Sequence, residues 1–358
     1  MATVYLAKVL GEGGFERLVA LKVMHPHIAN EPDFVSMFLD EARLAARIRH
    51  PNVVSTLAVE RNEEGLCLVM ESIEGHALNA ILRTALTAKK SLSIPVVLRI
   101  LVDLLEGLHA AHELDGDDGH SLELVHRDVS PQNVLVGADG VSRITDFGVA
   151  QAKARLTTTQ GSGLKGKVAY VSPEQVMLTG KIDRRADVFA AGIVLWEVLA
   201  GRRLFKAENE AATLSRVLSE SIPELRSVAP DVDEAVAQVA MKALHRDREL
   251  RYATAAQFAD ALERAANDVG KLAMMLCEPQ LFAELLDLVK HENMRYREAE
   301  IAVFGIGHEH VGARLAGVHR GLHRDGGQIE ADLARDFGHA QRVGRRAAED
   351  TGAGLAHE

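Results

Sequence analysis

Residues 126–148, HRDVSPQNVLVGADGVSRITDFG, fix more of this chain's architecture than any other stretch. Val134-Leu135-Val136 and Val141-Ser142-Arg143-Ile144 are two β-prone runs. Between them Asp139-Gly140 accepts the positive φ that closes a tight hairpin. With the turn centred there, Ala138 faces Val141 and Asn133 falls opposite Asp146. Two oxygen-bearing side chains far apart in sequence then share the open end of one hairpin, with Asp128 one loop upstream. Hard oxygens converging in this way suit Mg²⁺, which takes a carboxylate or two together with substrate phosphates. For an isolated hairpin the plainer reading is a solvated polar end, because loops are usually polar. The neighbouring residues decide between the two.

The rest of the chain sets bounds. Its 358 residues, 47% of them hydrophobic, suffice for one two-lobed domain or two smaller ones. A formal charge of −10 argues against a nucleic-acid partner held by bulk electrostatics. The two cysteines, Cys67 and Cys277, lie far apart, which fits a reducing compartment and no disulfide framework. Nothing at the N-terminus reads as a signal peptide. The most apolar run, residues 188–200, is broken by Glu197 and is too short to span a bilayer, so it reads as a buried helix opened by Asp187 and stopped by Gly201. A cytoplasmic location is the expectation.

Taken in order, residues 3–9 and 18–24 read as strands, and Gly11-Glu12-Gly13-Gly14-Phe15 as the turn joining them. A dinucleotide-binding reading of those glycines fails, because a strand rather than a helix follows. Residues 33–49 have helical periodicity, with Phe34, Phe38, Ala45 and Ile48 on one face. Glu41 completes that series. A carboxylate in an apolar face needs a partner, and Lys22 on the adjacent strand is the natural one. Residues 66–70 read as a buried strand. Ser93-Ile94-Pro95 caps a helix whose apolar face carries Val97, Leu101, Leu104, Leu108 and Ala111. Asp115-Gly116-Asp117-Asp118-Gly119 invites a calcium reading but fails the EF-hand spacing, so it reads as a solvated acidic loop. Residues 272–289 read as one amphipathic helix. Beyond Gly305 the chain is rich in Gly, His, Arg and Ala, and His308-Glu309-His310 is not a zinc-helix spacing.

His126-Arg127-Asp128, Asn133 and Asp146-Phe147-Gly148, in that order, resemble the catalytic and metal-binding loops of the protein kinase family. In that family the first aspartate accepts the substrate hydroxyl proton, and the asparagine and last aspartate hold Mg²⁺. The resemblance gives those roles to Asp128, Asn133 and Asp146. Val19-Ala20-Leu21-Lys22 resembles the family's lysine strand. Glu41 then matches the helix glutamate that orients the lysine on the α- and β-phosphates of ATP. Met70 matches the gatekeeper. Glu71 and Ile73 match the hinge backbone that pairs with adenine, and Val4, Ala20 and Leu135 the walls of the adenine pocket. By this alignment the glycine-rich loop and first strand would precede Met1. Residues 151–171 match the activation segment, closed by Ser172-Pro173-Glu174. Within it Thr157, Thr158, Thr159 and Ser162 are candidate phosphosites, with Arg127 the cation to receive a phosphate there. Asp187 matches the buried aspartate that steadies the catalytic loop, and Arg251 the arginine that pairs with Glu174.

The chain departs from the family in two places. Ser130 stands where serine/threonine kinases usually carry a lysine near the γ-phosphate, and Gly166-Lys167 stands where they usually read Gly-Thr. On this reading Lys167 supplies the missing charge from the opposite wall. The resemblance implies an α+β, two-lobed fold: a small β-rich lobe missing its first strand (1–71), a hinge (71–75) and a larger helical lobe (76–268). A helical extension (269–304) and a low-complexity, disordered tail (305–358) would follow. It also implies an ATP- and Mg²⁺-dependent kinase acting on serine and threonine hydroxyls of proteins, similar to the bacterial eukaryotic-type enzymes. The absence of an Ala-Ala-Arg loop argues against tyrosine specificity. The alternative is a pseudokinase or scaffold, prompted by the missing glycine loop.

Overall fold

The computed structural model describes residues 2–25, 32–62, 65–147, 168–178 and 180–277. The chain divides into two compact units, one of Met1–Leu92 and Arg99–Leu262, the other of Ser93–Leu98 and Glu263–Glu358. The first unit carries everything that bears on the site.

The unit begins with an antiparallel hairpin of β1 (Ala2–Leu10) and β2 (Glu16–Met24). Gly13 and Gly14 take φ of 67° and 83° in its turn, and Gly11 N donates to Phe15 O at 2.8 Å. Only residues without a β-carbon adopt such φ values without strain, so these glycines serve the turn. The register sets Val4 opposite Lys22 and Leu6 opposite Ala20. Next come α1 (Pro32–Ala45), β3 (Thr56–Asn62) and β4 (Gly65–Glu71). The four strands form one sheet in the order β1-β2-β4-β3. The α1 helix packs on it through Ala42, which joins buried Val54, Leu68 and Met70, with Phe38 and Ala20 against them.

A second, three-stranded sheet of β5 (Gly75–Ala77), β6 (Val134–Gly137) and β7 (Ser142–Ile144) follows. Around it are α2 (Leu78–Thr87), α3 (Ile94–His112), α4 (Pro173–Met177), α5 (Arg185–Ala200) and α6 (Glu210–Ser219). The last helices are α7 (Leu225–Val228), α8 (Glu234–Ala243) and α9 (Ala255–Cys277). Helix α5 is buried from Ala186 to Val198 and ends on Gly201 at φ 65°, as its apolar sequence predicts. Among the described residues no helix is long and apolar enough to cross a membrane.

Two expectations are corrected here. The β6–β7 register is shifted by one: Val134 pairs with Ile144, and Thr145 N donates to Asn133 O at 2.9 Å. The cause is the loop. Gly140 N donates to Gly137 O at 3.0 Å, Gly140 sits at φ 79°, and Gly137 N returns to Val141 O at 3.0 Å. This is a three-residue loop ending on a left-handed glycine, in place of a two-residue turn. Asn133 therefore faces Thr145, and Asp146 lies one residue past the ladder. Second, no new helix starts at residue 272, because α9 already runs from Ala255 through Cys277. Residues 278–358, with His308 and His310, lie outside the described residues.

Strand β7 is held on three sides. Ile144 N donates to Asn52 O at 2.9 Å and Val54 N to Ile144 O at 3.0 Å. The Asn52 amide donates to Ser142 O at 2.9 Å, and the buried Asp103 of α3 accepts from Ser142 N at 2.8 Å. Helix α3 approaches closely because residue 107 is glycine: a β-carbon there would stand 2.5 Å from Asn52 O. The hairpin carrying the candidate site is thus fixed by backbone and buried polar contacts together.

Candidate active site

The loop between α3 and β6 is anchored by Asp187, which lies in the first turn of α5 and is fully buried. Its carboxylate accepts from His126 N at 2.7 Å, from Arg127 N at 2.8 Å and from the His112 ring at 2.8 Å. Burial pushes the Asp187 carboxyl up. The His112 hydrogen bond and charge and the backbone donors outweigh that and hold it below the usual carboxylate range. These bonds stabilise Arg127 at φ 64°, a left-handed conformation rare for a side chain of its size. His126 is fully buried, bonds Thr145 O at 3.0 Å and packs on Phe147 with ring centroids 4.6 Å apart. The two halves of the site are thereby tied to each other.

Asp128 and Asn133 are joined directly. The Asn133 amide nitrogen donates to Asp128 O at 2.7 Å and to Asp128 Oδ2 at 3.1 Å. Asp146 takes φ 65°, again left-handed, and its Oδ1 accepts from Lys22 Nζ at 2.6 Å. Backbone strain of this kind is kept where surrounding contacts over-determine it, and it clusters at functional sites. Lys22 is 9% exposed and the Asp146 side chain 30%, so in the ion pair bridging the first sheet and the hairpin end the lysine is shielded and the carboxylate is open to solvent. The side chain of Glu41 lies outside those described. So do Gly148, Lys167, Thr157, Thr158, Thr159 and Ser162.

Of the remaining expected residues, Ala20, Met70, Ile73 and Leu135 share one apolar cluster, and Val4 and Glu71 are not part of it. Met70 pairs with Ala20 across β4 and β2 and is 7% exposed. Leu135 and Ile73 pack on the same cluster as Met70. Glu71 N is already engaged by Ser55 O at 2.9 Å. Val4, opposite Lys22, is 59% exposed. Behind Met70 a small cleft is lined by Lys22, Phe38, Leu68, Asp146 and Phe147. Ser130 is 1% exposed, and its hydroxyl has no hydrogen-bond partner among the described residues.

Residues 1–262 match the protein kinase domain. The chain belongs to the protein kinase family. Within it the relatives are bacterial eukaryotic-type enzymes. The chain is 44% identical over 264 residues to the tyrosine-protein kinase MasK of Myxococcus xanthus, covering 74% of this chain and 41% of MasK. It is 30% identical to the serine/threonine-protein kinase PrkC of Bacillus subtilis, over 84% of this chain and 45% of PrkC. The chain thus spans less than half the length of these curated relatives. The crystal structure of the Mycobacterium tuberculosis PknI kinase domain superposes with a TM-score of 0.56 at 26% identity, covering 74% of this chain and 91% of that one.

Several supports of the site carry little signal in the sequence. Asp103 and His112 sit on α3 with 2% and 0% exposure, one holding β7 and the other Asp187. Asp103 carried a legible signal, a carboxylate set among Leu101, Leu104 and Leu105, the same signal that singled out Glu41. His112 carried none, because it lies at the end of the helix and a histidine there also reads as a favourable charge at a C-terminus. The Glu174–Arg251 pair is formed, with both oxygens of Glu174 bonded to Arg251 at 2.8 and 2.9 Å.

Proposed function

We propose that this chain transfers the γ-phosphoryl group of ATP to serine and threonine hydroxyls of a protein substrate. The observation that carries the reading is the hydrogen-bonded Asp128–Asn133 pair, on the same hairpin end as the Lys22–Asp146 ion pair. Asp128 orients the attacking hydroxyl and takes its proton. Lys22 places positive charge where the phosphates lie, and its ion pair with Asp146 keeps both heads near the reacting groups. Ala20, Leu135 and Val4 wall the adenine, with the backbone of Glu71 and Ile73 at its edge. Most of the rate acceleration comes from positioning and fixed charge, as phosphoryl transfer needs little covalent help from the protein.

The donor set fits a divalent cation. The Asn133 amide oxygen and the Asp146 carboxylate are the hard oxygens Mg²⁺ prefers, and these two residues would hold it. The ion would neutralise phosphate charge. The buried hydroxyl of Ser130, which has no hydrogen-bond partner among the described residues, fits a phosphate oxygen as well.

Two relatives support different acceptors. PrkC is named a serine/threonine kinase and MasK a tyrosine kinase. The Val129-Ser130-Pro131-Gln132 loop, without the Ala-Ala-Arg run, favours the serine/threonine reading. The test is labelled ATP with peptides bearing a single Ser, Thr or Tyr, followed by phosphoamino-acid analysis. Phosphoserine and phosphothreonine that vanish with EDTA are the expected products. Phosphotyrosine alone would overturn the specificity, and no label from any preparation would leave the scaffold reading standing.

Ser130→Ala separates a ligand role from a structural one. A hydroxyl that no described residue bonds contributes little to folding, so the unfolding free energy should stay within about 1 kcal/mol of the native value. If the hydroxyl serves the transferring group, kcat falls on the order of tenfold, the scale of one lost charge-assisted hydrogen bond. An unchanged kcat with a lowered melting temperature would make Ser130 a packing residue.

A further inference from the structure

Where α5 ends and α6 begins, a second cleft of about 130 Å³ opens. Its floor is apolar, made of Trp196, Phe205 and Pro223, and its rim carries Arg202, Arg203 and Arg216. The Arg202 guanidinium lies 5.5 Å from the centroid of the Trp196 ring and has no carboxylate partner among the described residues. Arg203 reaches Glu197 Oε2 at 2.8 Å and lies 5.2 Å from the centroid of the Tyr170 ring. Arg216 pairs at 3.1 Å with Glu220, the single carboxylate of the rim. Three guanidinium groups therefore stand against two carboxylates, Glu220 on the rim and Glu197 behind it, which leaves Arg202 unmatched among the described residues.

The acid behind the rim is occupied. Glu197 is 6% exposed and takes three donors: Arg203, the Tyr170 hydroxyl at 2.7 Å and Leu204 N at 2.9 Å. Burial pushes its carboxyl up to about 8, with the Leu204 N–H pulling the other way. The Glu197 charge is thus matched by Arg203, and the positive charge left at the mouth of the cleft is that of Arg202, which has no carboxylate partner among the described residues. Tyr170 links this cleft to the catalytic loop. It stands two residues before Ser172, which caps α4, and on α4 the Gln175 amide lies 3.5 Å from Arg127 O.

We propose that this cleft binds an acidic side chain of the protein substrate and so selects which hydroxyls reach Asp128. The proposal rests on the kinase reading above and names its substrate class. The volume suits one side chain rather than a drug-sized ligand, which fills several hundred Å³. Guanidinium groups grip a carboxylate through paired N–H donors, and the Trp196 and Phe205 rings behind the rim lend the site an apolar wall. A lysine or arginine at the same substrate position is repelled.

The test uses the full chain and fluorescein-labelled serine peptides. One Glu is moved through the positions flanking the serine, with Ala and Lys counterparts, and affinity is read by anisotropy. At one position the Glu peptide should bind about five- to tenfold more tightly than its Ala counterpart, and the gap should shrink in high salt. The double variant Arg202→Gln/Arg216→Gln should bring the gap within about twofold while leaving the affinity and phosphorylation of the Ala peptide unchanged. Arg203 is kept, because its loss would strand Glu197. The proposal is overturned if no Glu position outperforms Ala, if the preference survives the double variant, or if only a phosphoserine in place of Glu binds. Tight binding of the Glu peptide without phosphotransfer would sink the kinase reading and keep the cleft. Equal kinetics and equal affinity for Glu and Ala peptides would do the reverse.

Discussion

Asp128→Asn lowers phosphotransfer by about 10²–10⁴-fold, the span that a positioned general base contributes, with nucleotide affinity retained. The substitution is close to isosteric, and a side-chain oxygen at that position still accepts the Asn133 amide, which now lies 3.1 Å from Asp128 Oδ2. What disappears is the negative charge and the proton acceptor. The expected signature is a fall in kcat with little change in KM for ATP, because the residue acts on the reacting hydroxyl and not on the nucleotide. Label transfer from ATP by the native chain and the variant, beside titration with a fluorescent ATP analogue, separates the two effects. Equal transfer by both proteins would assign the activity to a contaminant and return the chain to the scaffold reading. Equal transfer with intact nucleotide binding would also remove Asp128 from the chemistry.

How much of this site was legible follows from how local each feature is. Asp128, Asn133 and Asp146 were singled out by short motifs that resemble those of the family; the structure joins Asp128 to Asn133 and Asp146 to Lys22. The register between them depended on one glycine. Asp139-Gly140 reads as a two-residue turn, but the loop closes from Gly137 to Gly140 and slips the pairing by one. Sequence alone does not separate these two loops, because both want a left-handed glycine at that point. Long-range supports were harder to read. Asn52 and His112 hold β7 and Asp187 through partners 90 and 75 residues away. A lone polar residue announces a buried partner only when its neighbours are uniformly apolar, as around Asp103. The helix expected to start at residue 272 was misplaced for a related reason. Helix α9 runs past Val269 and Gly270, because one glycine costs only about 1 kcal/mol in a helix, and a change of composition is not a break in the backbone.

Arg251→Met should destabilise the first unit by about 3–5 kcal/mol, the range for breaking a buried ion pair from one side. Arg251 and Glu174 are 5% and 7% exposed and meet through two parallel bonds. Arg251 also donates to the carbonyls of His245, Arg185 and Arg246 at 2.7, 2.9 and 3.0 Å, and its Cζ lies 4.6 Å from the Phe189 ring centroid. Methionine keeps much of the stem but leaves three carbonyls and a carboxylate without their donor. Urea unfolding of the full chain measures the loss. The double variant Glu174→Leu/Arg251→Met should recover part of it, since removing both charges also removes the stranded one. The effect has a pH signature. Burial pushes the Glu174 carboxyl up, but the Arg251 hydrogen bond and charge prevail and hold it below its ordinary value of 4.5. A depressed carboxyl stabilises the fold above its unfolded pKa and loses that contribution as pH falls through its folded value. The gap between native and Arg251→Met should therefore narrow on acidification as Glu174 protonates, first in the variant, where burial acts without the arginine, and last in the native chain, whose carboxyl is held below 4.5. A gap that stayed constant through that range would mean that packing against Phe189, and not charge, is what Arg251 supplies. Because Glu174 follows Ser172 and Pro173 into α4, beside Arg127, the same variant should slow phosphotransfer under conditions where the chain remains folded.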